Sequence, residues 1–188
     1  MKIVIVNFSG REVGNCQAIS QVVGDVHLSD EVYIYHFSSL TVHPCGKCNY
    51  ECFGREESCP YQDDAVYEIY KKVTVCDLAY FILPNYCDYP NANYFLFNER
   101  SQCFFQHRPE LLERYLAVSK KFIVVSNTET DHFIQAFRYQ ISENEQPNVL
   151  FLAAKKYQKK SIMGDIMDSE KAKKDVKEFC RNDVKESV

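Results

Sequence analysis

Short aliphatic runs alternate along this chain with stretches whose apolar residues recur every three or four positions. Lys2–Asn7 is almost purely aliphatic and predicts a strand; a polar loop, Phe8–Cys16, follows, and then Ala18, Ile19, Val22 and Val23 fall at helical spacing. Glu31–Phe37, with Val32, Tyr33, Ile34 and Tyr35, carries the β-branched and aromatic residues of a second strand. Beyond a cysteine-rich loop, Asp63 or Asp64 is placed to cap a helix running to about Val75, with Val66, Ile69, Tyr70 and Val73 on one face. Leu78–Leu83 predicts a third strand that stops at Pro84. The loop from Pro84 to about Asn91 leads into an aromatic-rich segment and then a helix from about Pro109 to Val118. Lys121–Ser126 is the fourth strand, ending in Asn127-Thr-Glu-Thr, and a helix is expected over Phe133–Ile141. Val149–Ala153 is the fifth strand and Ser169–Cys180 the last helix.

Strands of this length alternating with helices require right-handed crossover connections, which build a parallel sheet covered on both faces. The pattern therefore predicts an α/β fold in three layers: a doubly wound, flavodoxin-like sheet of five parallel strands in the order 2-1-3-4-5. Ligands of such sheets lie beyond the carboxyl ends of the strands, at the switch between the first and third. Here those ends carry Ser9–Cys16 and Pro84–Asn91. No repeat, linker or low-complexity tract divides the chain, so residues 1–188 read as one domain with a cysteine-rich loop at about 43–62.

The formal net charge of -4 argues against a broad basic footprint for nucleic acid. The lysines between Lys155 and Lys177 are interleaved with acids and read as a solvated helix face. No apolar run approaches the roughly 18 residues of a membrane helix, and Met-Lys-Ile-Val-Ile-Val-Asn lacks the longer apolar core and cleavage site of a signal peptide. The expectation is a soluble cytoplasmic protein whose nine cysteines are reduced, with metal-binding or catalytic roles favoured over disulfides.

Ser9-Gly-Arg-Glu-Val-Gly-Asn-Cys16 places two glycines, a hydroxyl, a guanidinium and an amide just before a helix N-terminus. A phosphate dianion is stabilised by that combination of backbone N–H groups, helix dipole and side-chain donors. The same residues also suit a plain turn at Gly10 and Gly14 with Asn15 capping the helix.

The loop resembles the Ser-Pro-Arg-x-x-Gly-Asn-Ser/Thr motif of the NADPH-dependent FMN reductase family, which includes the iron-sulfur flavoproteins. Ser9, Arg11, Gly14 and Asn15 match in register, while Gly10 stands for the proline and Cys16 for the hydroxyl residue. Cys59-Pro-Tyr-Gln-Asp63-Asp64 is similar to the family's cysteine followed by paired aspartates, and Pro84-Asn85-Tyr86 to its Pro-x-Tyr turn. Phe97-Asn-Glu99-Arg100 resembles a Phe-x-Asp-Arg element, and Ser161-Ile-Met-Gly164-Asp the segment after the fifth strand. The resemblance implies FMN, its phosphate at Ser9, Arg11, Gly14, Asn15 and Cys16 and its ring at Pro84, Asn85 and Tyr86. Asn127 and Thr128 are further candidates, although the family's glycine-rich turn is absent there. Tyr89 reads as a packing residue.

Cys45, Cys48, Cys52 and Cys59 are separated by gaps of two, three and six residues. Thiolates so close in sequence permit a loop to wrap a [4Fe-4S] cluster. The resembling family usually spaces its first three ligands by two and two, which puts Cys52 one residue late. Zinc more often takes two Cys-x-x-Cys pairs, and only one is present. Four reduced cysteines without metal are the third reading. Cys76 and Cys180 read as small core hydrophobes, Cys87 as a thiol beside the presumed flavin turn, and Cys103 as a thiol in the aromatic segment. His43 is a cluster neighbour or an exposed loop residue, and His132 stands without a partner in the sequence.

Taken with these residues, the resemblance implies an FMN-dependent oxidoreductase of the iron-sulfur flavoprotein type, with NADH or NADPH as donor and a small acceptor or redox partner. No separate protein acid or base is expected. The alternatives are a non-catalytic flavodoxin-like electron-transfer protein and a binding protein of the same fold that has lost the cofactor. The resemblance also implies a homodimer or tetramer; the aromatic density of Tyr86–Phe105 marks where to look for contacts, and the charge balance and absence of a long apolar run predict neither nucleic acid nor membrane as partner.

Overall fold

The computed structural model describes residues 1–46, 48–54, 59–128 and 132–182. Its elements are β1 (Lys2–Asn7), α1 (Asn15–Val26), β2 (Glu31–His36), α2 (Ala65–Thr74), β3 (Leu78–Tyr86), β4 (Tyr89–Pro90), α3 (Ala92–Phe105), α4 (Pro109–Ala117), β5 (Ser119–Ser126), α5 (His132–Gln135), β6 (Asn148–Ala153) and α6 (Glu170–Arg181). The long strands are all parallel and lie in the order β2-β1-β3-β5-β6, while two-residue β4 pairs antiparallel with the end of β3. Setting β4 aside, this is the doubly wound order 2-1-3-4-5 that the alternating pattern predicts.

Strand residues alternate between two chemically different layers. Val4, Val6, Phe81 and Phe122 face α2, α3 and α4 in a core dominated by rings, whereas Ile3, Ile5, Ile82 and Ile123 face α1 and α6 across aliphatic packing. In the ring layer Tyr70 stacks on Phe97 at 4.2 Å and Phe122 on Phe137 at 4.0 Å. The Tyr70 hydroxyl donates to the Phe97 carbonyl at 2.7 Å, so a phenol is buried there without leaving its proton unpaired.

Three elements depart from the sequence pattern. β3 continues through Pro84 to Tyr86. The Phe8 N–H donates to the Ile82 carbonyl, so Ile82 and, two residues on, Pro84 direct their backbone groups toward β1, which has already ended at Asn7. Proline there removes no ladder hydrogen bond. The aromatic segment is helix α3, hidden in the sequence because rings occur around much of its circumference and its buried set includes Arg100. The helix expected over 133–141 is one short turn, α5, followed by a 3-10 turn at Arg138–Gln140. Among the described residues no helix is long and apolar enough to cross a membrane.

Candidate functional site

The loop after β1 turns on Asn7 and Ser9. The Asn7 Oδ1 accepts from the Ser9 N–H at 2.9 Å, and its Nδ2 pairs with His36 Nδ1 at 3.1 Å. Burial lowers the His36 pKa and so favours the neutral ring, and its Nδ1 accepts from the Asn7 amide. The Ser9 oxygen accepts from the Arg11 N–H at 3.1 Å, which leaves the hydroxyl proton for a ligand. The loop is tied to the start of α3 by Asn91 and Asn93, whose amides both donate to the Phe8 carbonyl, at 2.5 and 2.9 Å.

Gly14 occupies the N-cap of α1 at φ 153 and brings no side chain to the cap, so the N–H groups of the first turn stay open. No acidic residue stands in that turn. The guanidinium of Arg11 lies over Gly14, its Nε 3.7 Å from where a Cβ would stand, and adds a full positive charge to the dipole. Asn15 does not cap the helix. Its Nδ2 donates to the Ser161 carbonyl at 2.7 Å and its Oδ1 accepts from the Ile166 N–H at 2.9 Å. Arg11 likewise donates to the Ile162 carbonyl at 3.0 Å. Asn15 is therefore a strut, and the anion-binding capacity of the turn lies in backbone N–H groups, the Ser9 hydroxyl and the Arg11 charge.

Cys16, buried where the resembling family has a hydroxyl, has its pKa pushed up to about 12 by desolvation, against a smaller pull from Arg11. It is a neutral thiol, a weak donor that does not repel an anion.

Across the switch point, Tyr86 pairs with Tyr89 around a two-residue turn in which Cys87 and Asp88 both take left-handed φ, 53° and 64°. Glycine or asparagine is usual at such positions. Asn85 stabilises the turn by accepting from the Asp88 N–H at 2.8 Å, and its Nδ2 donates to Ser126 Oγ at 3.0 Å. Tyr86 is left about half exposed. Together Ser9, Arg11, Gly14, Asn15, Cys16, Pro84, Asn85, Tyr86 and Asn127 line one cavity of about 450 Å³ at the carboxyl end of β1 and β3. Val125, Ser161 and Ile162 complete it. Thr128 is not among the lining residues; its N–H donates to Ser126 Oγ at 3.2 Å. Ser161 and Ile162 were visible in sequence only through the segment resemblance after the fifth strand.

The cysteine loop is fastened to α3 by Arg100. This fully buried guanidinium donates to the His43 carbonyl (2.7 Å), Asp64 Oδ2 (2.6 Å), the Tyr61 carbonyl (3.0 Å) and Cys59 Sγ (3.7 Å). Asp64 also caps α2 by accepting from the Val66 and Tyr67 N–H groups. His43 stacks on Tyr61 at 4.3 Å. Cys103 of α3, outside the run, meets two of its thiols: its Sγ lies 3.9 Å from Cys45 and 3.7 Å from Cys52. Desolvation, reinforced by Cys52 and the neighbouring sulfurs, raises the Cys103 pKa. Among the described residues no group of three or more His, Cys, Asp or Glu side chains is arranged to hold a metal ion. Cys45, Cys48, Cys52 and Cys59 as they stand do not fit the four-thiolate set that a [4Fe-4S] cluster needs. Cys76 and Cys180 are buried, Cys87 and His132 exposed.

No family model and no curated protein matches this sequence. Solved structures do. The Trp repressor binding protein of Bacillus subtilis is similar over 97% of this chain and 100% of its own, with TM-score 0.62 and 16% identity. Smu.1420 of Streptococcus mutans UA159 gives 0.63 and 15% over 97% and 100%. RosB, with 8-demethyl-8-formylriboflavin-5'-phosphate bound, gives 0.66 and 10% over 97% of this chain and 77% of its own. Likeness at these identities establishes a shared flavodoxin-like fold.

Proposed function

We propose that this chain binds FMN in the cavity between β1 and β3 and acts as an FMN-dependent oxidoreductase, taking electrons from NADH or NADPH and delivering them to a small acceptor such as a quinone or metal complex. The observation that carries the reading is the uncapped, acid-free N-terminus of α1, with Gly14 beneath the Arg11 guanidinium, opening into a cavity walled on its far side by Pro84 and Tyr86. The riboflavin 5'-phosphate derivative bound to RosB, which shares the fold, supports it.

In this reading the first-turn N–H groups, the Ser9 hydroxyl and Arg11 hold the phosphate, and Pro84 and Tyr86 lie against the ring. Asn85, engaged with Asp88 and Ser126, keeps the Tyr86 turn fixed rather than contacting the flavin through its side chain. When bound, the flavin supplies hydride acceptance and one- or two-electron release. The protein's part is orientation and exclusion of water. A homodimer or tetramer that covers the half-exposed Tyr86 and the exposed Tyr89 would complete that exclusion. An iron-sulfur cluster is not part of the proposal.

Steady-state assay tests it. NADH or NADPH should be oxidised in the presence of a soluble quinone, with turnover lost on removing FMN and restored on adding it back. Bound flavin with no turnover from either nucleotide would leave a carrier and contradict the enzyme reading.

A further inference from the structure

Glu99, Cys103 and His107 are spaced four residues apart along α3 and just past its end, and all three grip the cysteine loop. Glu99 Oε1 accepts from the Cys45 N–H at 2.7 Å, and His107 Nε2 pairs with the Cys52 carbonyl at 3.0 Å. Between these two anchors the Cys103 thiol touches both Cys45 and Cys52, at 3.9 and 3.7 Å. A disulfide requires sulfurs about 2 Å apart, so either link forms when the two thiols draw closer than they stand here. Cys45 and Cys103 are partly exposed, whereas Cys52 is buried. One central thiol thus has two alternative partners, one toward solvent and one inside.

We infer that Cys45, Cys103 and Cys52 form a thiol–disulfide exchange centre that reduces a small-molecule disulfide. The solvent-side Cys45, having lost its proton to water, attacks one sulfur of the substrate. The substrate S–S bond breaks, a mixed disulfide forms on Cys45, and the first substrate thiolate leaves and takes up a proton. Cys103 then gives up its proton and attacks the Cys45 sulfur, closing Cys45–Cys103 and releasing the second substrate thiol, which takes the proton. Two electrons and two protons pass from two protein thiols to one disulfide, yielding two small thiols. Exchange with Cys52 moves the protein disulfide to Cys52–Cys103 and returns Cys45 to the thiol form. The centre uses a residue outside the Cys45–Cys59 run, and it does not depend on flavin binding.

The test uses the full-length reduced protein and oxidised glutathione, followed by alkylation of remaining thiols and peptide mapping. Two of the nine thiols should disappear, and the new link should join Cys103 to Cys52 or Cys45. Cys48→Ser should leave that link in place and remove ambiguity over which neighbour is joined. Cys103→Ser should abolish both links and slow thiol loss by roughly tenfold or more. A link that omits Cys103, a lasting glutathione adduct without an internal disulfide, retention of all nine thiols, or iron or zinc held on these sulfurs after purification would each overturn the inference.

Discussion

Gly164 meets Gly14 so closely that a Cβ on Gly164 would stand 3.3 Å from the Gly14 Cα. Gly164 also sits at φ 81, in the left-handed region, so the contact and the backbone conformation both call for glycine. Around this pair, Ser161–Ile166 is strapped over the first loop by Asn15 and Arg11, and to the β5 end by the Ser161 N–H donating to Asn127 Oδ1 at 3.0 Å. Gly164→Ala should lower stability by about 1–2 kcal/mol, since left-handed φ and crowding add. It should weaken FMN binding as well, because the strap and the phosphate turn move together. Urea unfolding and flavin titration check both; an unchanged midpoint would dissociate the strap from the turn.

Asn15 gives a second handle on the same relation. Asn15→Ala removes one buried and one partly buried hydrogen bond and should cost about 1–3 kcal/mol, visible as a lower unfolding midpoint. Asn15→Asp retains the acceptor for the Ile166 N–H but turns the donor to Ser161 into a repelled oxygen, beside the anion site. It should therefore reduce FMN affinity more than its stability loss alone would.

Cys16 is the point at which the phosphate turn differs chemically from the resembling motif. Cys16→Ser restores a hydroxyl donor at the first turn of α1, and should tighten FMN binding by roughly two- to tenfold, equivalent to one added hydrogen bond. Equilibrium fluorescence titration of flavin reads this directly.

How far the sequence reveals these features follows from their physics. β1 and β5 are legible because buried parallel strands are continuous apolar runs, the partly buried edge strands β2 and β6 from their β-branched, aliphatic and aromatic residues, and α2 because Asp64 precedes a clean three-and-four repeat. α3 is not, since a ring, Phe95, stands on its exposed face and a charged residue, Arg100, on its buried one, which erases the apolar period. The cavity-lining loops are legible from the topology, which fixes where strands one and three end. The role of Asn15 is not, because its partners Ser161 and Ile166 lie some 150 residues away and are met only through the fold. Cys103 eludes spacing arguments for the same reason: it joins Cys45 and Cys52 by tertiary contact.

Lys120, at the foot of β5, gives a pH-dependent prediction. Its buried Nζ donates to the carbonyls of Tyr115 and Val118, yet desolvation brings its pKa down from 10.5 to about 7. A folded-state pKa below the unfolded one means that the unfolded chain binds more protons between the two values, so stability rises with pH there. Raised thiol pKa values at Cys16 and Cys76 act oppositely above about pH 9, the ordinary thiol value. Between pH 7 and 8.5, wild-type unfolding free energy should climb relative to that of Lys120→Met; parallel curves would contradict the shift.

FMN binding is proposed from the open N-terminus of α1 and the Arg11 charge facing a cavity of about 450 Å³, and comparing FMN with riboflavin on the flavin-free protein tests it most directly. FMN should bind at least roughly tenfold tighter than riboflavin, because only FMN carries the phosphate that the α1 N-terminus and Arg11 address. Arg11→Ala should erase much of that difference and leave riboflavin affinity unchanged. Equal affinity for the two flavins, or no binding of either, would contradict the account.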